Sequence, residues 1–212
     1  MPRLRRTRDC HLNVDWRDRL IGAVAPLTQG VRGLHVNNFR PADEYPVRPG
    51  RTAAVLVPIL DQEEPEIVLT LRAHHLAQHA GQVSFPGGAA EEQDASAVAT
   101  ALREAQEEIG LDPARVQAVG FLDRFDTISD YRVLPVVGLV RPPERWIVDP
   151  SEVAEVFTLP LSVALDPERY RQREAERGGE RFKLHYLDWQ GHSIWGLTAA
   201  MMRNLLNRMS IE

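Results

Sequence analysis

Three glutamates that share one face of a helix are the residues of this sequence best placed to do chemistry. Glu104, Glu107 and Glu108 are spaced i, i+3 and i+4 within a helix predicted from about Ala95 to Ile109. Like charges at this spacing repel one another, which is tolerated on a solvated surface or where the carboxylates hold a cation. Oxygen ligands alone suit hard ions such as Mg²⁺ or Mn²⁺ rather than zinc. The cluster therefore predicts either a charged surface or a site for a hard cation.

The residues around these glutamates favour the cation site. Gly87 and Gly88 precede the helix and allow positive φ and close backbone approach, so a carbonyl in this turn could be a further metal ligand. Arg103 adjoins Glu104 and could keep a carboxylate ionised and oriented. The opposite face carries an apolar stripe, formed by Val98, Ala101, Leu102, Ala105 and Ile109. We expect this stripe to dock on a sheet and the carboxylates to point away from the core.

Before this helix, the sequence predicts a helix and a hairpin. The helix is expected from Trp16 to about Val24, where apolar residues recur with helical spacing. The hairpin consists of the apolar runs Ala53 to Leu60 and Glu66 to Leu71, which the polar DQEEPE separates. The histidine-rich loop, residues 73–82, then leads to a short strand, Val83 to Phe85. After this strand, Pro86 to Gly88 is expected to break the chain.

After the helix of glutamates, strands are predicted at Gln117 to Leu122 and at Arg132 to Val140, and a last helix from Ala199 to about Met209. The very polar segment 166–181 is typical of a solvated loop or a frayed helix, and Arg181 to Trp189 alternates like a strand. Strands and helices are mixed, with several hairpin-like pairs. This pattern favours an α/β or α+β fold over an all-parallel sheet.

Composition excludes several classes of protein. The 212 residues carry a net charge of −5, so no strong basic field favours a dedicated nucleic-acid binder. Cys10 is the single cysteine, and nothing marks an oxidising compartment. The basic N-terminus is not followed by an apolar signal segment, and the longest apolar runs fall far short of the roughly 20 residues that span a bilayer. We expect a cytoplasmic protein with neither nucleic acid nor membrane as a partner.

The stretch from Gly88 to Leu111 resembles the Nudix box, Gly-x5-Glu-x7-Arg-Glu-U-x-Glu-Glu-x-Gly-U, in which U is aliphatic. The residues that match the box are Gly88, Arg103, Glu104, Glu107, Glu108, Gly110 and Leu111. Asp94 replaces the early glutamate, and the gap from Asp94 to Arg103 is eight residues instead of seven. This variant resembles the coenzyme A-directed branch of the superfamily.

A second signature of that branch lies just upstream. Its pattern is Leu-Leu-Thr-x-(Thr or Arg)-(Ser or Ala)-x3-Arg-x3-Gly-x3-Phe-Pro-Gly-Gly, and this chain has VLTLRAHHLAQHAGQVSFPGG. The matching residues are Leu69, Thr70, Arg72, Ala73, Gly81, Phe85, Pro86, Gly87 and Gly88. Ala77 stands where the pattern has an arginine that could contact substrate phosphates. Arg72, His74 or His79 could take the place of that arginine.

The resemblance implies the Nudix fold, an α+β fold (an α/β/α sandwich) with a mixed β-sheet between helices. We expect residues 1–35 to form an N-terminal extension with a short helix and residues 36–212 to form a single Nudix hydrolase domain. The implied reaction is metal-dependent hydrolysis of the pyrophosphate bond of coenzyme A or its thioesters. The products would be adenosine 3′,5′-bisphosphate and 4′-phosphopantetheine or its acyl derivative.

Two alternative functions stay open. One is a Nudix pyrophosphohydrolase of other nucleoside diphosphate derivatives, such as ADP-ribose, dinucleotides or nucleoside triphosphates. The other is a ligand-sensing Nudix domain that has lost catalysis, which the complete set of box glutamates disfavours. In each case the implied partner is a small nucleotide ligand, coenzyme A-like in the leading interpretation, and a homodimer is left open.

Residue roles follow from the resemblance, position by position. The ligands of Mg²⁺ or Mn²⁺ would be Glu104, Glu107, Glu108 and the carbonyl of Gly88. Glu104 would also act as base or water-orienting group, with Arg103 as its partner. Substrate would be bound by Arg72, Gly81, Phe85 and Arg132. Because some Nudix enzymes carry the base on a distant loop, Glu152 and Glu155 are alternatives for that role.

Overall fold

The computed structural model describes residues 16–29, 36–38, 51–127, 131–177 and 180–210, and a mixed β-sheet forms its centre. The strands of this sheet are β1 (Val36–Asn38), β2 (Arg51–Leu60), β3 (Glu66–Arg72), β4 (Val83–Ser84), β5 (Gly87–Ala89), β6 (Val116–Phe121), β7 (Arg124–Asp126), β8 (Tyr131–Val140) and β9 (Val153–Pro160). The helices are α1 (Trp16–Ala23), α2 (Ala97–Ile109), α3 (Leu161–Ala164) and α4 (Gly196–Met209).

The long apolar strands β2 and β8 run parallel at the middle of the sheet. They pair from Arg51 opposite Tyr131 to Leu60 opposite Val140. Both strands are buried along most of their length, as expected of parallel strands that are covered on both faces. The pairs β2–β3, β3–β9 and β6–β8 are antiparallel, so the sheet is mixed as predicted, and the predicted hairpin of β2 and β3 is confirmed.

Two hydrophobic clusters lie on opposite faces of this sheet. Val57 and Ile59 of β2 belong to the cluster that includes α1 and α4, whereas Leu56 and Leu60 belong to the cluster that includes α2. Because side chains of a strand alternate between faces, helices cover both sides of the sheet. The predicted α+β fold, an α/β/α sandwich, is confirmed.

Helix α2 begins and ends where its sequence provides caps. The hydroxyl of Ser96 accepts a hydrogen bond from the backbone N–H of Ala99 at the N-terminus. Gly110 adopts the left-handed conformation at the C-terminus, and its N–H donates to the carbonyls of Ala105 and Gln106. These caps fix the length of the helix that carries the glutamates, and they confirm the predicted end at Gly110.

Helix α1 confirms the predicted N-terminal helix and is part of the core. Trp16 and Leu20 are buried in the same cluster as α4. Arg19 donates from Nη2 to the carbonyl of Met209 at 2.9 Å, and Arg208 donates from Nη1 to the carbonyl of Ala23 at 2.9 Å. Residues 1–15 and 30–35 lie outside the described part of the chain, and the domain boundary at residue 35 stays a prediction.

A second sheet of three antiparallel strands, β10 (Arg171–Arg177), β11 (Glu180–Trp189) and β12 (His192–Trp195), packs on the α1 and α4 side. Leu187 and Ile194 join that core cluster, and Gln190 and Gly191 form the turn between β11 and β12. The prediction of a loop or frayed helix at 166–181 was wrong for residues 171–177. Strand β10 has no apolar alternation, and its charged residues Arg171, Arg173 and Glu174 are exposed, so periodicity does not detect it.

Among the described residues, no helix has both the length and the apolar character needed to cross a membrane.

Candidate active site

The two glycines before α2 form a strand, and the prediction that they break the chain was wrong. Residues Gly87 to Ala89 pair antiparallel with β2 as strand β5. Gly87 has φ +156°, and a Cβ there would lie 2.5 Å from the carbonyl oxygen of Ala54. At Gly88, whose φ is not positive, a Cβ would lie 2.5 Å from the carboxylate of Glu104. The missing side chain at Gly88 therefore makes room for that carboxylate.

Glu108 points inward, against the expectation that all three glutamates face away from the core. Its side chain is 2% exposed, and Oε2 accepts a hydrogen bond of 3.2 Å from the N–H of Gly87. Burial raises the pKa of Glu108 to about 8, although the Gly87 N–H and the guanidinium of Arg72 oppose that rise. Strand β5 lies opposite this part of α2 and covers the side chain of Glu108.

Glu104 lies beside Glu108 and is also largely shielded from solvent. Its side chain is 14% exposed, and Arg103 Nη1 lies 2.9 Å from Glu104 Oε1. Burial raises the pKa of Glu104, Arg103 counteracts the rise, and the charges of Glu107 and Glu152 add to it. The charge of Glu152 also raises the pKa of Glu108. The backbone of Glu152 accepts a hydrogen bond from the N–H of Ala73 at 2.9 Å, next to Arg72, so Glu152 stands at the edge of this site.

Glu107 differs from its two neighbours because it faces solvent. Its side chain is 59% exposed and forms an ion pair with Arg103 Nη1 at 2.9 Å. Within the described residues, no group of three histidine, cysteine, aspartate or glutamate side chains is arranged to hold a metal ion. The three box glutamates thus do not converge, and Glu107 would have to leave Arg103 to join the other two.

The pair formed by Glu104 and Glu108 nevertheless fits a hard divalent cation. Both are oxygen ligands, and burial opposes the ionised form of each. A divalent cation would compensate the two like charges, which lie beside Gly88. The residues present are therefore compatible with a magnesium or manganese ion held by Glu104 and Glu108.

Arg103 is held in place by the aspartate that departs from the box pattern. Its Nε and Nη2 donate to the two carboxylate oxygens of Asp94 at 3.1 and 3.0 Å, and Nη2 also donates to the carbonyl of Ala89 at 3.1 Å. The guanidinium of Arg103 holds the pKa of Asp94 far below its usual range. Asp94 has a shorter side chain than the glutamate of the box pattern, and the gap between Asp94 and Arg103 is one residue longer. Asp94 thus anchors Arg103, which contacts Glu104.

Two of the predicted substrate-binding residues lie together at the edge of this site. Arg72 Nη1 is 3.6 Å from Glu108 Oε1, and Arg72 Nε is buried with no hydrogen-bond partner among the described residues. Gly81 has φ +65° and donates its N–H to the carbonyl of Arg72 at 3.1 Å. A Cβ at Gly81 would lie 2.9 Å from His74 Nδ1, so glycine lets the histidine-rich loop close on Arg72.

The other two predicted substrate-binding residues lie apart from Arg72. Phe85 is buried in the cluster that includes α4, on the face of the sheet opposite α2. Phe85 therefore holds the chain before β5 against the α4 side of the sheet and exposes little surface to a ligand. Arg132 stands near the start of β8, opposite Thr52 and Asp126 in register.

Of the two alternative bases, Glu152 is the one whose charge raises the pKa of both Glu104 and Glu108. The carboxylate of Glu155 lies 3.6 Å from His192 Nε2, and His192 stacks on Phe157 on the α4 side of the sheet. Sequence reasoning named both residues without choosing between them, because the sequence does not show which of them lies near α2.

The segment before Glu152 was missed by sequence reasoning, although it is hydrogen-bonded to the C-terminus of α2. The N–H groups of Ile147 and Asp149 donate to the carbonyls of Ile109 and Glu108 at 3.1 and 2.9 Å. These carbonyls are among those that an α-helix leaves without an intrahelical partner. The available signal was Asp-Pro-Ser at 149–151, a composition typical of a tight turn.

Comparison with known proteins gives consistent matches along most of the chain. The NUDIX domain family model matches residues 50–177. An uncharacterized Nudix hydrolase, NudL, from Pectobacterium atrosepticum is 45% identical over 171 residues, which cover 80% of this chain and 88% of that protein. The NudL of Salmonella paratyphi B is 40% identical over 175 residues, covering 82% and 91%. A solved MutT/nudix family protein from Enterococcus faecalis has a TM-score of 0.48 at 16% identity and covers 80% of this chain and 64% of that one.

Proposed function

The chain belongs to the Nudix family and is a pyrophosphohydrolase, and we propose that its substrate is coenzyme A or its thioesters. The observation that carries this proposal is the position of Arg72, whose buried Nε has no partner among the described residues and whose Nη1 lies 3.6 Å from Glu108. A buried guanidinium N–H without an acceptor favours binding of an anion such as a substrate phosphate. Arg72 also belongs to the upstream signature that resembles the coenzyme A-directed branch.

The proposed cofactor is Mg²⁺ or Mn²⁺, held by Glu104 and Glu108 together with the carbonyl of Gly88. When bound, such an ion neutralises charge on a pyrophosphate and lowers the pKa of a coordinated water. Glu107 would complete the ligand set predicted from the box, at the expense of its ion pair with Arg103. The setting we propose is a cytoplasmic enzyme acting on a small nucleotide.

Protein side chains account for the remaining steps. Glu104 orients the attacking water or accepts its proton, because it is the shielded carboxylate nearest Gly88. Arg103, at a separation of 2.9 Å, opposes the rise that burial causes in the pKa of Glu104. Glu152 is the second candidate for the base, since its charge acts on both buried glutamates. Arg72 donates to a phosphate oxygen of the substrate.

A second substrate class is favoured by one residue. Ala77 is exposed on the histidine-rich loop, at the position where the coenzyme A signature has arginine. Without that cation, recognition of the extra phosphate of coenzyme A depends on Arg72 and its neighbours. Hydrolysis of other nucleoside diphosphate derivatives, such as ADP-ribose or dinucleotides, is therefore the alternative.

A substrate panel tests the proposal. The purified protein is incubated with Mg²⁺ or Mn²⁺ and coenzyme A, acetyl-coenzyme A, dephospho-coenzyme A, ADP-ribose, a diadenosine polyphosphate or ATP, and products are identified by mass spectrometry. We expect adenosine 3′,5′-bisphosphate and 4′-phosphopantetheine from coenzyme A at a higher kcat/KM than any product of the other nucleotides. Intact coenzyme A beside a hydrolysed dinucleotide would refute the substrate and favour the alternative.

A further inference from the structure

The turn at residues 149–152 carries Glu152 and is held on one side by the C-terminus of α2 and on the other by residue Ala73, which follows Arg72. The N–H of Asp149 donates to the carbonyl of Glu108 at 2.9 Å. Within the turn, Asp149 Oδ1 accepts hydrogen bonds from the N–H and the hydroxyl of Ser151 at 2.8 and 2.7 Å. The first half of the turn is thereby fixed relative to the helix that carries Glu104 and Glu108.

The second half of the turn is held by the histidine-rich loop. The N–H of Ala73 donates to the carbonyl of Glu152 at 2.9 Å. His75 Nε2 lies 3.0 Å from the carbonyl oxygen of Ser151, which can only accept a hydrogen bond, so Nε2 carries the proton and donates. These two bonds hold the two peptide units on either side of the Glu152 Cα.

Of the three histidines in this loop, His75 is the one with a described hydrogen bond to another part of the chain. His79 Nδ1 is 2.9 Å from Gln82 Oε1, within the loop itself. The ring of His74 lies against Gly81, also within the loop. The contact of His75 with Ser151 joins residues 76 positions apart, and its target is the residue immediately before Glu152.

We propose that His75 is a positioning residue that fixes the carboxylate of Glu152 beside Glu104 and Glu108. Its hydrogen bond to Ser151 prevents the peptide unit before Glu152 from rotating, so the direction of the Glu152 side chain is set by both the helix and the loop. The inference rests on the proposed function, because Glu152 acts in that reaction as candidate base or as a carboxylate facing the cation.

A double-mutant cycle tests this role. His75→Leu removes the donor, His75→Gln restores an N–H of similar reach, and each is combined with Glu152→Gln. Gln78→Leu, an exposed position of the same loop, is the matched control. Steady-state kcat and KM are measured on the best pyrophosphate substrate, and Mn²⁺ affinity is measured separately by calorimetry on the full chain. Thermal melting confirms that each variant is folded.

We expect His75→Leu to lower kcat by about three- to tenfold with little change in KM, and His75→Gln to recover most of the loss. In the Glu152→Gln background, His75→Leu should have no further effect on kcat or on Mn²⁺ affinity. Gln78→Leu should behave as the unchanged protein.

Three results would overturn the inference, and a fourth concerns the proposed function alone. Equal losses from His75→Leu in both backgrounds would show that His75 does not act through Glu152. Full activity and unchanged Mn²⁺ affinity of Glu152→Gln would remove Glu152 from the site. Wild-type behaviour of His75→Leu would also contradict the proposal. If no pyrophosphate is hydrolysed, the proposed function fails, and the Mn²⁺ cycle still decides whether His75 positions Glu152.

Discussion

At the scale of single residues, the chemistry depends on how differently the helix glutamates meet solvent. Glu104 is shielded beside Gly88. Glu107, three residues further along α2, is more than half exposed and ion-paired with Arg103. A carboxylate that orients water or takes a proton must be held next to the reacting atoms. In the proposed reaction Glu104 is therefore the leading candidate for that role, whereas the carboxylate of Glu107 is paired with Arg103.

Glu104→Gln is accordingly expected to reduce kcat by about 10²–10⁴-fold, because the amide cannot accept the proton or carry the charge. Glu107→Gln is the comparison variant and should cost less than Glu104→Gln, since its carboxylate pairs with Arg103 outside the Glu104–Glu108 pair. Both values come from steady-state assays at saturating Mg²⁺ or Mn²⁺. Equal losses for the two variants would mean that the glutamates act as one ligand set.

Glu108 gives a prediction for pH. Burial raises the pKa of Glu108 in the folded protein to about 8, above the ordinary value of 4.5. Between these two pH values the folded metal-free protein holds a proton on Glu108 that the unfolded chain releases. That contribution to stability is fully present below pH 4.5 and is lost as pH rises through 8, with a slope of at most about 1.4 kcal/mol per pH unit. Urea titrations in a chelator should show this decline, and Glu108→Gln should lack it. Added Mn²⁺ should reverse the trend by favouring the ionised form.

The side chains of this site were predictable from residue type and spacing, but their environments were not. Helical periodicity placed Glu104 and Glu108 on one face, yet it carries no information about the strand lying across that face. The burial of Glu108 depends on Gly87 and Gly88 forming β5, a pairing with β2 between distant segments. The role of Glu107 was assigned by family resemblance, and its position beside Arg103 depends on Asp94, which the pattern does not contain.

At the scale of elements, the turn before Glu152 depends on the C-terminus of α2, because it is hydrogen-bonded to the last carbonyls of that helix. Gly110 has φ +66°, and a Cβ there would lie 2.6 Å from Ile147 Cβ. Ile147 in turn donates its N–H to Ile109. A side chain at Gly110 would therefore strain the backbone and push away the segment that leads to Glu152.

Gly110→Ala is expected to lower the free energy of unfolding by about 1–2 kcal/mol from the left-handed conformation alone, with the clash adding to it. It should also lower kcat, because the segment at 147–152 moves. Gly22→Ala in α1 is the matched control: a Cβ there meets nothing within 4 Å, and the gain should be about 0.5–1 kcal/mol. Urea unfolding and kcat measure both effects, and a Gly110 variant as stable as the wild type would contradict the cap.

The elements with strong local signals were predicted correctly. Helices α1, α2 and α4 have apolar periodicity, and α2 also has a glycine stop. Strands β5 and β10 were missed for opposite reasons. The glycines of β5 have no side chains to show a pattern, and β10 carries mainly polar residues, of which Arg171 and Glu174 are exposed. In both cases the strand exists because a partner strand supplies its hydrogen bonds.

At the scale of the whole molecule, the segment that precedes the family match is part of the hydrophobic core. The NUDIX domain model begins at residue 50, yet Leu20 of α1 is fully buried with α4. Helix α1 packs against the end of α4, and both helices cover the face of the sheet opposite α2. Helix α1 therefore stabilises the domain from the face of the sheet opposite α2.

Leu20→Ala is expected to destabilise the protein by about 2–5 kcal/mol, as for other fully buried leucines. Ile21→Ala, at a 45% exposed neighbour on the same helix, should cost less than about 1 kcal/mol. Chemical denaturation provides both numbers, and kcat measured well below the midpoint should be unchanged in each variant. A small effect at Leu20 would show that α1 is not part of the cooperative unit.

The overall architecture was predictable because the box and the upstream signature resemble a family of known fold. Mixed strands and helices alone left α/β and α+β open. The order of the strands, with β2 and β8 parallel at the centre, follows from pairings across about 80 residues, which local periodicity cannot specify. The same limit explains why α1 was predicted as a helix but not as a component of the core.

The turn at Gln190 and Gly191 lies on the side of the molecule opposite the glutamates, since β11 and β12 pack against the α1 and α4 face. A Cβ at Gly191 would meet nothing within 4 Å. A short peptide tag inserted between these two residues would consequently tether the protein to a sensor chip with its reactive face turned toward the flowing solution. Nucleotide binding could then be followed on oriented molecules, free of the steric blocking that random coupling through surface amines produces.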